Sequence, residues 1–294
     1  MTTWRHHFLP QTYLAEWCDA SGRVLRYIRV GPDRHLHSRR VPPRSIGFDK
    51  DLNTLPTGGR ANGMTGDDLE HVLAATVDQR IPALRDRTRS VAGQVTDADL
   101  ERDLLWLVST FHARHPNQIR GVERQLADVQ AEYADRLDYW MNRANTDKAR
   151  SELATYRDPR YGALAAQAGV KEIIEGAVPL VGDLKGRVHV VWAEHHATAL
   201  GNVGAEEFVT FGDAVVGWDA NAKAAKVAFA LSPERLLVII EDDRFLSAAD
   251  EAELVLTHAI APISSRDLLI ARSPVRGNLL AHLEALGDEL LPVP

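Results

Sequence analysis

Between Thr65 and about Gly186 the apolar residues recur three and four positions apart. On either side of that block they come instead in short β-branched or aromatic runs, broken by glycine, proline and asparagine. Period sets secondary structure, so a helical block framed by strand-like segments predicts an α+β fold. We expect an N-terminal β-hairpin and C-terminal mixed sheet segments packed with a central helical block.

The N-terminal segment, residues 1–64, is rich in turns. Pro10 opens a single helical turn that sets Tyr13, Leu14 and Trp17 on one face. Ser21-Gly22 turns the chain into a strand over Arg23–Val30, closed by Gly31-Pro32, and Pro42-Pro43 ends the return strand. Asn53–Gly66 reads as a loop.

In the helical block, residues 65–186, Thr65 and Asp68 form an N-cap pair ahead of Leu69, Leu73, Val77 and Leu84, with Pro82 expected to kink or end that helix. Thr96 and Asp99 open a second helix with a stripe of Leu100, Leu104, Leu107, Val108 and Phe111, closed by Pro116. A third carries Ile119, Val122, Leu126, Val129, Tyr133, Leu137 and Trp140. A loop over Tyr156–Tyr161 and a short helix over Val170–Val178 follow. The last segment, residues 187–294, holds strands at Arg187–Glu194, Glu206–Phe211, Lys226–Leu231 and Arg235–Glu241, then helices at Ala248–Ile260 and Arg276–Glu284.

Composition narrows the function classes. Lys and Arg number 34 against 41 Asp and Glu, a net charge of −7 that disfavours a nonspecific nucleic-acid coat or a polybasic membrane binder. The single cysteine, Cys18, excludes an intrachain disulfide and a Cys-rich zinc site, and suits a reducing compartment. No window approaches the roughly 18 unbroken apolar residues of a membrane span, and Met1–Pro10 lacks the apolar core of a secretory signal. A cytoplasmic location is therefore expected, with no membrane partner. A chain this long buries enough surface to fold without a metal staple.

The residues His7-Phe8-Leu9-Pro10-Gln11-Thr12-Tyr13-Leu14 spell His-x-x-Pro-x-x-Tyr-Leu. This resembles the signature of a bacterial family known as domain of unknown function 4238. Trp17 stands where that family has an aromatic, Gly22–Tyr27 looks like its following strand, and Arg114-His115-Pro116 looks like its Arg-Thr-Pro at a helix end. Asp213 resembles the acid of its Thr-Ser-Asp-x-Pro segment, although Phe211, Gly212 and Val215 replace the Thr, Ser and Pro, and Thr210 stands one place early. Leu231-Ser232-Pro233 matches its later Leu-Ser-Pro. The resemblance implies a fold and candidate residues but no reaction. It implies His7, Arg114 and Asp213 as candidate catalytic residues, and Gln11, Tyr13, Arg114 and His115 as candidate ligand-binding residues. These motifs come from all three segments, so we expect residues 1–294 to form one co-folded domain.

The residues themselves carry the following chemistry. His7 offers an imidazole for proton transfer, hydrogen bonding or metal ligation, or for tying the N-terminus to the core; His6 alternates with it and faces the other way. Arg114 continues the buried stripe of its helix, where a guanidinium needs a carboxylate or an anionic ligand, and Asp213 is the first candidate partner. His112 and His115 share a helix, and His189, His195 and His196 flank Glu194 on a strand, but no complete metal-ligand set occurs. The basic run Arg34–Arg40 with Arg44 meets phosphates or forms a solvated hairpin tip. There is no phosphate-binding glycine loop and no nucleophile elbow around Ser109, Ser232 or Ser264.

Two readings remain open. One is a hydrolase or transferase acting on a phosphoester or another anionic substrate, nucleotide and nucleic acid included. There His7 is base, Arg114 anion clamp and Asp213 orienter or metal ligand. The other is a non-catalytic module binding an anionic ligand or protein partner, with the same residues in a buried network. No cofactor and no oligomeric state are indicated.

Overall fold

The computed structural model describes residues 5–30, 35–55, 66–176, 187–203, 205–217, 226–240, 268–277 and 279–281. The helix expected over 248–260 falls wholly outside these residues and that over 276–284 partly so, while Thr65, Arg34 and much of the Asn53–Gly66 loop also lie outside them. Among the described residues the chain is α+β, with eight α-helices and three antiparallel sheets.

The N-terminal segment supplies two small strand pairs. β1 (Arg5–His7) pairs with β4 (Phe48–Lys50), setting His7 opposite Phe48. β2 (Val24–Val30) and β3 (His35–Val41) form the expected hairpin. The hairpin does not stand alone. The other edge of β2 takes β11 (Leu268–Ala271), which in turn takes β7 (Thr210–Phe211), so the chain's two ends share one sheet. The five-stranded sheet runs β5 (Gly93–Gln94), β6 (Arg187–Trp192), β10 (Arg235–Ile240), β9 (Lys226–Ser232) and β8 (Val215–Gly217). β10 is central and buried throughout, which is why its Leu-Leu-Val-Ile-Ile run shows no polar alternation.

The helices are α1 (Gln11–Leu14), α2 (Asp68–Val72), α3 (Ile81–Arg87), α4 (Ala98–Ala113), α5 (Pro116–Arg143), α6 (Asp147–Arg157), α7 (Tyr161–Ile174) and α8 (Ala197–Val203). Several boundaries differ from the sequence reading for local reasons. α2 runs on as a π-helical stretch, Leu73–Asp78, and Pro82 lies in the first turn of α3. Proline there starts a helix, because the missing N–H is one that the first turn leaves unbonded anyway. Asp97, not Thr96, caps α4, accepting from the N–H groups of Asp99 and Leu100. The expected short helix at Val170–Val178 is the end of a longer α7. Strand character over Glu206–Phe211 shrinks to β7, and Ala193–His196 is a 3-10 turn rather than the end of a strand.

The buried apolar residues form one contiguous cluster fed by all three segments. At its centre, Tyr13 lies 4.9 Å from Phe111 and 5.4 Å from Phe229, ring centre to ring centre, with Trp17 at 4.6 Å. The Tyr13 hydroxyl donates to the Ala230 carbonyl at 2.7 Å and lies 2.7 Å from the Thr210 hydroxyl. One side chain thereby ties α1 to β7 and β9.

Candidate functional site

The His-x-x-Pro segment is clamped locally. Leu9 donates its N–H to the Gly47 carbonyl at 3.0 Å. Gly47 has φ +63°, and a Cβ there would sit 2.6 Å from the Leu9 Cβ, so only glycine allows this approach. Strand alternation then divides the two histidines. His6 points inward, its Nδ1 accepting from the Asn53 N–H at 2.8 Å and its Nε2 lying 3.7 Å from Asp67 Oδ1. His7 and Arg5 share the other face, and both flank Phe48. The Arg5 guanidinium carbon is 4.8 Å and the His7 ring 5.8 Å from the Phe48 ring centre.

Arg114 is fully buried, as its place on the α4 stripe predicts. Its carboxylate partner is Asp78, at 2.8 Å from Nη1, and Nη2 donates to the main-chain carbonyl of His7. This corrects the expected pairing with Asp213. The π-helical stretch ends at Asp78 and delivers that carboxylate to the end of α4, where the N-terminal strand also arrives. The Asp78 main-chain carbonyl accepts from the Thr12 hydroxyl at 3.0 Å, so both ends of the His-x-x-Pro-x-x-Tyr segment are held to the same turn.

The His7 ring is half-buried, and its Nε2 is buried without a hydrogen-bond partner among the described residues. Burial lowers its pKa below the ordinary value; the Glu70 carboxylate and the Arg44 backbone pull it back up. At neutral pH the imidazole is therefore uncharged, with two carboxylates, Glu70 and Asp78, in its field. Burial also raises the Asp78 carboxyl above the ordinary range, with the Arg114 guanidinium opposing that rise. Glu70 is itself fixed by the Asn53 amide at 2.6 Å, which couples the His7 site to the His6 network through one asparagine.

The other expected site residues scatter. Tyr13 is wholly buried in the aromatic core, and desolvation drives its phenol pKa far upward. His115 is buried, caps α5 by accepting from the Asn117 N–H at 3.3 Å, and packs edge-on against Phe8. Gln11 is exposed at the first position of α1. Asp213 lies in the turn between β7 and β8 and accepts from the Val215 N–H at 3.3 Å. The structure thus brings His7 and Arg114 together and adds Asp78, Glu70, Asn53 and Arg5, none of which the sequence singled out. No group of three or more His, Cys, Asp or Glu side chains among the described residues is arranged to hold a metal ion. No helix of the described residues is long and apolar enough to cross a membrane.

The architecture and this arrangement define an α+β protein whose N-terminal His-x-x-Pro strand is locked onto a buried Arg–Asp pair. A family model described as "Protein of unknown function (DUF4238)" matches residues 5–278, and the chain belongs to that family. No curated protein and no solved structure matches it.

Proposed function

We propose that this chain is a hydrolase of phosphoesters or related anionic esters in which His7 accepts the proton of the attacking water. The observation that carries this reading is the buried, unpartnered Nε2 of an imidazole kept neutral at pH 7. In such a step the water oxygen bonds to the ester centre, its proton moves to His7 Nε2, and the leaving alkoxide departs to take a proton from solvent. The imidazolium formed is stabilised by the Glu70 and Asp78 carboxylates, which raise the proton affinity of the ring. Arg114 is already committed to Asp78 and the His7 carbonyl, so its role here is to position His7. Arg5, exposed and on the same strand face as His7, is the cation placed to meet the substrate's charge. Asp213 has no part in this scheme.

The second reading, a non-catalytic module binding an anionic ligand or protein partner, is favoured by Arg114's full burial and by the use of both its Nη groups within the fold. The two separate on one pair of variants assayed with chromogenic phosphomonoesters and phosphodiesters. His7→Gln and Arg5→Ala should abolish turnover and leave the melting temperature nearly unchanged. Absence of turnover by the unaltered chain, together with a large drop in melting temperature for His7→Gln, supports the module.

A further inference from the structure

The strand pair β1–β4 sorts its charges by face. In its register Arg5 lies opposite Lys50, His6 opposite Asp49 and His7 opposite Phe48. Opposed residues of an antiparallel pair point to the same side, so Arg5, Lys50, His7 and Phe48 share one face. The acid of β4, Asp49, falls on the other face, where Arg120 takes it. Arg5 and Lys50 are both exposed, and no carboxylate of the described residues lies within ion-pair distance of either. Like charges set directly across a strand pair oppose the pairing. Here they stand beside an imidazole whose Nε2 is unpartnered.

We propose that Arg5 and Lys50 form a cradle for one doubly charged phosphoryl group, which makes the phosphomonoester the substrate class of the His7 site. This rests on the hydrolytic reading of His7 and narrows it. Directly opposed side chains start about 5 Å apart, so a guanidinium and an ammonium can share the oxygens of one phosphoryl group. The Phe48 ring, 4.8 Å from the Arg5 guanidinium carbon, pre-sets one arm of the cradle. A monoester carries about two negative charges at pH 7 and matches the pair. A diester carries a single charge and leaves one cation uncompensated. Two residues along a strand span roughly 7 Å, so phosphorus held at Arg5 and Lys50 leaves room for a water against His7 Nε2. That water's oxygen bonds to phosphorus and its proton passes to Nε2. The ester P–O bond breaks, the alkoxide takes a proton from solvent, and orthophosphate is released.

The test compares 4-nitrophenyl phosphate with bis(4-nitrophenyl) phosphate on the full chain, with orthophosphate binding followed by calorimetry. The monoester should have the higher kcat/KM, and orthophosphate should bind and compete with it. Lys50→Ala loses one charged hydrogen bond, so KM for the monoester and Kd for orthophosphate should each rise about tenfold. The preference over the diester should narrow with them, the melting temperature should not fall, and Lys50→Arg should restore both constants. A merely structural lysine would move the melting temperature and not the ester preference. A diester preferred over the monoester, or Lys50→Ala impaired equally on both, overturns the cradle, while His7-dependent turnover keeps the hydrolytic reading. No turnover of either ester, with orthophosphate still bound through Lys50, removes the hydrolysis and keeps the cradle. Orthophosphate left unbound by the unaltered chain overturns the cradle outright.

Discussion

The two ends of the α4–α5 helical arm carry the same kind of apolar stripe and meet opposite fates. At the α4–α5 junction the stripe runs through Phe111 and Arg114 to Ile119, and every one of these side chains is buried, Phe111 against Tyr13 and Arg114 against His7. Towards the far end of α5, Val129, Tyr139 and Trp140 keep about half of their surface in water. The pattern in the sequence is continuous across both. What differs is the supply of covering elements: among the described residues, β1, α1 and the π turn converge on the junction, while the far end meets α6 and α7. An apolar stripe therefore states that a face seeks cover, and topology decides whether the cover comes from the same chain.

The sharpest way to break this comparison is at Arg114. Replacing it by leucine strands Asp78 and the His7 carbonyl, and breaking a buried pair this way costs about 3–5 kcal/mol. Arg114→Lys should fail to rescue, because an ammonium cannot span the carboxylate and the carbonyl as the planar fork does. We propose that residues 1–294 unfold as one unit, since the buried cluster draws on all three segments. Chemical denaturation followed at separate probes in residues 1–186 and 187–294 should show coincident transitions, both displaced by Arg114→Leu. Separate midpoints would refute the single unit.

In the first third of α5 the fit to α7 is set by one glycine. A Cβ at Gly162 of α7 would lie 2.9 Å from the Glu123 carbonyl oxygen, a backbone atom that cannot swing aside. Gly162→Ala should thus cost about 1–3 kcal/mol by forcing α7 away from α5. Gly169→Ala, on the same helix with open space around it, should be neutral or stabilising. Equal thermal shifts for the two variants would show that the α5–α7 approach is looser than described.

At the far end the expected effect on the fold is small. Val129→Ser, measured in dilute solution, should change stability by no more than about 0.5 kcal/mol, as exposed positions usually do. A loss several times larger would mean that the apolar groove between α5 and α6 is closed within the single chain.

These contrasts mark what the sequence made legible. Arg114's burial could be read from Leu104, Leu107 and Phe111, because helical periodicity is local. Its partner could not. Asp78 reaches it only through a π-helical stretch, and nothing in the spacing of Leu69, Leu73 and Val77 announces that change of pitch. Likewise the β2–β3 hairpin follows from its turn residues, whereas β11 arrives from more than two hundred residues away and leaves no mark on β2. Tyr13 stood out for its motif, yet its buried hydroxyl serves the core. Arg5 and Glu70 belong to no motif, and strand alternation and the Asn53 amide place them around His7.

The smallest expected effect is also the most direct probe of that ring. Burial holds the His7 pKa below its ordinary value, so on acidification the unfolded chain takes up this proton before the folded one does. Between the ordinary value and the lower folded one the unfolded state binds more protons. His7's contribution to stability is therefore present at neutral pH and lost as pH falls through that window. Heteronuclear NMR of the ring should give a titration midpoint below 6.5. Glu70→Gln removes the carboxylate that most raises the ring's proton affinity, so it should move the midpoint further down and leave the fold intact. A midpoint above the ordinary value would describe a tightly ion-paired imidazole, charged at mildly acidic pH and unable to accept a proton there. The hydrolytic reading of His7 would fall with it, while the Arg114–Asp78 pair beneath would stand unchanged.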